Sequence, residues 1–368
     1  MKSYSTGLLL AFVIFLGCSK DNDPGNPGAG NPPGTADNQT IDNVNAANGD
    51  ISLAIDRNDK LHVCYQSFNI SLKYATNRTG AWVTTTMFSE DTSTSNSGFS
   101  DLAVDSSGAV HIVYTTFAMS AGDTARIIYA TNKSGSWVNT TIAFCSVGPL
   151  SGAGIAVTPG GKAHIVYGDQ TMHVCYRNNL SGTWTNAGVL GTYWTEVRPR
   201  LALDAINNVY VAYEHGGEWT LHLQVINSGG VPVSNSIVDG VSGSGTSVGW
   251  SPHIAINKAN NNVLITYWNY DGRLLRLSNN GAKTTLDSLT NWTLPAIVMD
   301  NNGKAHVCYT DLSTSQLCYL SNKDGAWVNE ILPVSVISKS SDIAVESTGK
   351  VDVVYCLRGA NTLKIVSR

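Results

Sequence analysis

Charge is scarce in this chain. Of 368 residues only 14% are Asp, Glu, Lys or Arg, and the formal net charge is −4. A nucleic-acid partner demands a dense Lys/Arg surface to displace counterions, so that class is excluded. After the first twenty residues no apolar run approaches the roughly 20 residues of a spanning helix. No Cys-x-x-Cys and no mixed Cys/His cluster has zinc spacing, so neither metal nor cofactor is expected. Gly-x-Ser-x-Gly, Walker and dinucleotide-binding signatures are missing as well. So is any long 3.6-residue apolar period, which leaves little room for helices.

Short alternating apolar stretches fill the chain instead, with 35 Gly, 15 Tyr, 9 Trp and many Asn, Ser and Thr. That is the composition of many short strands joined by tight turns. The first residues differ. Lys2 precedes an apolar run from Gly7 to Leu16, too short to span a bilayer and suited to a signal peptide. Phe15-Leu16-Gly17-Cys18 resembles a bacterial lipobox, which implies cleavage and lipidation at Cys18. Ser19 to Asp23 is similar to the acidic export tag of surface lipoproteins in Bacteroidetes-type bacteria. The expected organisation is a leader over 1–18, a Gly/Pro/Asn tether over 19–38 and one folded unit over 39–368. The expected location is the bacterial outer membrane and cell surface, with the lipid as the sole membrane contact.

A repeat dominates everything after residue 50. Each unit opens with a strand such as Leu102-Ala103-Val104-Asp105, turns, and continues into a strand ending in Tyr, as in Val110 to Tyr114. A third strand like Leu72 to Ala75 follows, then a turn reading Asn-x-x-Gly-x-Trp and a fourth strand. The strand-ending Tyr occurs seven times, at 65, 114, 167, 213, 267, 309 and 355, with spacings of 42 to 54 residues. Four short strands at that period make a propeller blade. The fold class is therefore all-β, a seven-bladed β-propeller of four-stranded antiparallel blades. The last unit lacks a fourth strand and Gln39 to Val44 is spare, so the N-terminal strand is expected to complete it and remove the open edge.

The turn Ser321-Asn322-Lys323-Asp324-Gly325-Ala326-Trp327 resembles a degenerate Asp-box of the sialidase-like propellers, one residue short, with related turns at 77–82, 132–137 and 179–184. The resemblance covers 50–368 as architecture. Residues that recur in it are scaffold. His62, His111, His164 and His306 share one strand position in four blades, too far apart around a ring to ligate one ion, and so are read as hydrogen-bonded blade residues. Trp82, Trp137, Trp184 and Trp327 are expected between blades. Cys308 and Cys318 face each other's hairpin strand; a bridge and two buried thiols both remain open.

Departures from the repeat point to function. Trp194, Trp219, Trp250, Trp268 and Trp292 lie outside the template, in connections from second to third or from fourth to first strand. Those connections share one face, so an aromatic patch is expected over blades 4 to 6. Glu196, Arg198, Arg200, Glu214, His215, His253, Tyr270, Asp271 and Arg273 fall in the same loops. The innermost strands also align one position per blade at the channel mouth: Ser52, Asp101, Gly154, Arg200, His253, Ala296 and Asp342. Their variation over a fixed scaffold suggests ligand contact. Indoles stack on sugar C–H faces while Arg and carboxylates fork hydrogen bonds to hydroxyls, so the expected partner is a glycan or polysaccharide.

Two alternatives stand beside binding. Resemblance to seven-bladed polysaccharide lyases implies a cation for the uronate, Arg200 or Arg198, and a proton carrier among His215, His253 and Tyr270. A sialidase-like site would draft Arg198, Arg200 and Arg273 with Glu214 and Tyr270, although those enzymes are six-bladed and open with an Arg motif that this chain lacks. The other alternative is a protein-interaction scaffold of the envelope.

Overall fold

The structure is a computed structural model. It describes residues 37–43, 46–67, 71–88, 95–118, 124–145, 151–171, 173–186, 188–192, 198–289, 291–335, 340–357 and 362–368. Cys18, the leader and most of the tether lie outside these residues, as do Trp194 and Glu196.

The described residues form seven four-stranded antiparallel sheets arranged as a β-propeller. Blades 1 to 6 are 46–88, 95–145, 151–192, 200–239, 248–288 and 296–335, each a simple meander in chain order. Blade 7 takes three strands from 341–367, and its outermost strand is Asp37–Asp42, running antiparallel to Thr362–Ser367 with Gln39 opposite Ile365. That strand starts two residues before Gln39, inside the stretch read as tether; Val44 lies outside the described residues.

Local chemistry makes the turns. In the Asn-x-x-Gly-x-Trp connections the Asn side chain accepts from the first amide of the second strand, as Asn77 does from Leu61 at 2.8 Å and Asn132 from Val110 at 2.8 Å. The glycine of that turn takes φ of +92° to +103°, a region that penalises any Cβ. Between first and second strands an Asp carboxylate accepts two amides of its own turn, as Asp105 does from Ser107 and Ala109.

Packing is radial. Both faces of each sheet are covered by neighbouring blades, and the apolar side chains gather into seven clusters, one at each blade-to-blade contact. The seven strand-ending tyrosines are all buried, and several donate to the preceding blade's outermost strand: Tyr267 to Asp239 at 2.6 Å, Tyr65 to Asp42, Tyr309 to Asp287. Trp137 meets Tyr74 edge-on across blades at 5.2 Å, and Trp184 meets Tyr129 at 5.0 Å. The four repeat histidines bond the tyrosine of the next strand through Nδ1 at 2.6 to 2.7 Å. Their reading as blade residues holds. Cys308 sits opposite Tyr319 and Cys318 opposite Tyr309, so successive residues place the two sulfurs on opposite sheet faces; both are buried free thiols.

Candidate functional site

First strands of successive blades line the axis, and the aligned residues occupy equivalent register: Ser52 faces Cys64, Asp101 Val113, Gly154 Val166, Arg200 Ala212, His253 Thr266, Ala296 Cys308 and Asp342 Val354. With residues just before them, most of these line a small recess open to solvent at the channel mouth. Most of these residues have structural partners in a neighbouring blade. Four polar members accept from the amide that follows the equivalent position in the next blade, while Arg200 donates to the Ala153 carbonyl at 3.2 Å. Asp342 takes Leu53 at 2.7 Å, Ser52 takes Leu102 at 3.2 Å, Asp101 takes Ile155 at 3.0 Å and His253 takes Ile297 at 3.2 Å. Gly154 is small because a Cβ there would stand 2.8 Å from the Pro199 carbonyl. The ring stitches blades together.

Electrostatics separates the funnel's members. Arg198 crosses from blade 4 to pair with Asp50 of blade 1, its guanidinium 4.7 Å above the Phe99 ring, and Arg200 reaches the same carboxylate at 4.0 Å. Burial raises Asp101, and raises Asp342 to about 7, against the hydrogen bonds it accepts from Leu53 and Ile343. Burial, helped by the Arg200 charge, lowers His253 to about 3. A base that weak is mismatched to proton transfer near neutrality, and its Nδ1 is already committed to Ile297. His253 therefore fits a structural role better than the catalytic one considered above.

The second recess lies on the same face over blades 5 and 6. Trp268, Tyr270, Asp271, Arg273, Asn291 and Trp292 line a solvent-open space of about 720 Å³. Tyr270 is 56% exposed and stacks on Trp250 at 5.3 Å and 25°. The Trp250 indole donates to Ser247 at 2.5 Å, and the Asp271 carboxylate caps the Ser247 amide. Arg273 adopts φ of +51° at the foot of the loop. Here the sequence expectation needs correcting. Trp268 is 2% exposed, sunk in the apolar cluster between blades 5 and 6, because it continues the strand Asn262–Asn269 rather than entering the loop. Trp250 and Trp292 are half-buried against the same cluster. The described indoles among the five, Trp219, Trp250, Trp268 and Trp292, do not form one exposed platform; the exposed ring of this recess is Tyr270.

Above blade 4, burial raises Glu214 to about 7. His215, Glu218 and Trp219 lie at the hairpin turn, where Trp219 takes φ of +57°. Arg198 and Arg200 thus share the funnel while Arg273 belongs to the blade 5–6 recess, so the three-arginine sialidase constellation is not assembled. Likewise Tyr270 lines the blade 5–6 recess while Arg200 and His253 line the funnel. Asp50, Asn291 and His222 were missed by sequence reasoning. Asp50 had a usable signal, since it lies two residues before Ser52 as Arg198 lies two before Arg200, the next pleat outward.

No family model matches the chain, and no curated protein sequence matches it. Solved structures do. A virginiamycin B lyase from Staphylococcus aureus superposes with a TM-score of 0.58 at 12% identity, covering 91% of this chain and 99% of that one. An α-L-arabinanase from Penicillium chrysogenum complexed with arabinobiose gives 0.56 at 12% identity, with 91% and 98% covered. The SapL1 lectin in complex with α-methyl fucoside gives 0.54 at 14% identity, with 79% and 99% covered. At these identities the likeness is one of fold.

Proposed function

We propose that this protein is a glycan-binding propeller and that its ligand docks in the recess over blades 5 and 6. The observation that carries the reading is the exposed Tyr270 ring, held flat by Trp250, beside Asp271, Arg273 and Asn291. A sugar presents C–H faces to such a ring and hydroxyls to the carboxylate, guanidinium and amide. Support of a general kind comes from similar propellers that hold arabinobiose or α-methyl fucoside. Lipidation at Cys18 would set this face at the cell surface, where glycans are met; replacing Cys18 by Ser is expected to move the protein from the membrane to the soluble fraction.

A glycan array followed by calorimetry tests the binding. One or more glycans are expected to bind without a cleavage product, and Tyr270→Ala or Arg273→Ala to weaken the affinity about ten-fold or more. Equal affinity in both variants removes the recess as the site. Unsaturated products from a uronic-acid polymer would replace binding by lyase chemistry, and capture of an envelope protein without sugar affinity would replace it by scaffolding.

A further inference from the structure

The blade 4 hairpin holds a group of side chains that the glycan reading does not use. Its strands Val209–His215 and Thr220–Ile226 pair so that His215 faces Thr220 and Tyr213 faces His222. His215 and His222 are therefore diagonal neighbours on one sheet face, and their rings stack at 4.9 Å and 30°. The turn between them folds back, with the Glu218 and Trp219 amides both donating to the His215 carbonyl. That brings the Glu218 carboxylate to 3.5 Å from His222 Nε2. One nitrogen or oxygen from each of the three residues lies within 4.8 Å of the others.

The hydrogen bonds around the group fix which atoms are free. Tyr213 donates its hydroxyl proton to the Leu190 carbonyl at 3.0 Å and accepts from Asn235 Nδ2 at 2.9 Å. The Asn235 amide is thereby oriented with Oδ1 toward His222 Nδ1, 3.1 Å away. An amide oxygen only accepts, so the neutral imidazole carries its proton on Nδ1 and presents a lone pair at Nε2. That atom faces Glu218 and is met by the Thr220 hydroxyl at 3.0 Å, a donor that can rotate away. His215 Nδ1 is buried and has no hydrogen-bond partner. Two imidazoles and one carboxylate thus converge, and a protein carbonyl-type acceptor behind His222 sets its tautomer as acceptors do behind metal-bound histidines.

We propose that His215, Glu218 and His222 bind a divalent ion of the zinc class, with further positions filled by solvent. Two imidazoles favour such borderline ions over calcium or magnesium, which prefer oxygen. Tetrahedral coordination with bonds near 2.0 Å needs donor atoms roughly 3.3 Å apart. Small rotations of His215 and Glu218, both incompletely buried, close the gap. The motif spans one hairpin, His-x-x-Glu-x-x-x-His, and owes nothing to the recess over blades 5 and 6. An ion there would clamp the turn that carries Trp219.

Zinc titration of the chelator-stripped protein by calorimetry decides the matter, with cobalt absorption as a second readout. One ion per chain is expected, with a cobalt spectrum of low-symmetry coordination. His215→Ala and Glu218→Gln sit at the incompletely buried turn and should keep the fold while losing the ion. Asn235→Ala should weaken zinc about ten-fold by freeing the His222 ring. His173→Ala, at a half-exposed histidine beside Asp169, should change nothing. Absence of zinc binding, or a stoichiometry and affinity preserved in the His215→Ala/Glu218→Gln double variant, overturns the proposal.

Discussion

At the scale of residues, repetition turns one blade into a control for another. His62, His111 and His306 each have an Asp carboxylate 3.4 to 3.6 Å from Nε2, whereas His164 has Thr158 at the equivalent turn position and no carboxylate there. Burial lowers His164 to about 4. The unfolded ring takes its proton near pH 6.5 and the folded ring does not. The stability this site contributes is therefore complete above 6.5 and is lost as pH falls toward 4, by about 3 kcal/mol in all. Thr158→Asp supplies the missing partner in a turn that already holds Asp in four other blades. Urea midpoints at pH 7 and pH 4.5 should converge in that variant relative to the parent; an unchanged gap would count against the argument. These histidines were legible because four copies cannot share one ion. Trp268 was not, because its strand runs two residues past the repeat tyrosine, and in a blade covered on both faces Tyr267 and Trp268 are both buried.

Elements differ in how far their causes reach. The Asn-x-x-Gly-x-Trp turns could be read directly, since acceptor, amide and positive-φ glycine all lie within about twenty residues. Connections on the opposite face have no such local rule. Arg198 finds Asp50 from 148 residues away; their matching offsets from Arg200 and Ser52 mark each position but not the pairing. The channel-mouth positions fall between these cases: alignment found them, but their bonds to the next blade depend on ring geometry. Gly154 tests that geometry. A methyl there would meet the Pro199 carbonyl at 2.8 Å and the Leu201 side chain at 3.1 Å. Gly154→Ala should push blades 3 and 4 apart, at a cost of about 1–3 kcal/mol, and disturb the Arg200 bond to the Ala153 carbonyl. A melting temperature equal to the parent's would mean that the first strands are not packed this closely.

For the whole molecule, the ring is only as strong as its joint. Six blades are continuous in sequence, while the seventh joins Asp37–Asp42 to the C-terminal strands. Ile41 of that strand is buried in the cluster between blades 7 and 1, and Asp42 accepts from Tyr65 and, at 3.2 Å, from Lys73, both in blade 1. The same tyrosine-to-carboxylate contact recurs at Tyr267 with Asp239 and at Tyr309 with Asp287, so it is a repeated contact between blades. At the joint the antiparallel ladder between Asp37–Asp42 and Thr362–Ser367 replaces a peptide link. Asp42→Ala leaves the Tyr65 hydroxyl without its acceptor, which costs about 1–3 kcal/mol for a buried donor. Removing residues 1–43 does more: it exposes the backbone edge of Thr362–Ser367, a template for pairing with another chain. The truncated protein should melt well below Asp42→Ala and run as oligomers in size-exclusion chromatography, with the parent monodisperse under the same conditions. If it stays monodisperse and melts with the parent, the first strand is an ornament and the ring is held by its seven apolar clusters alone.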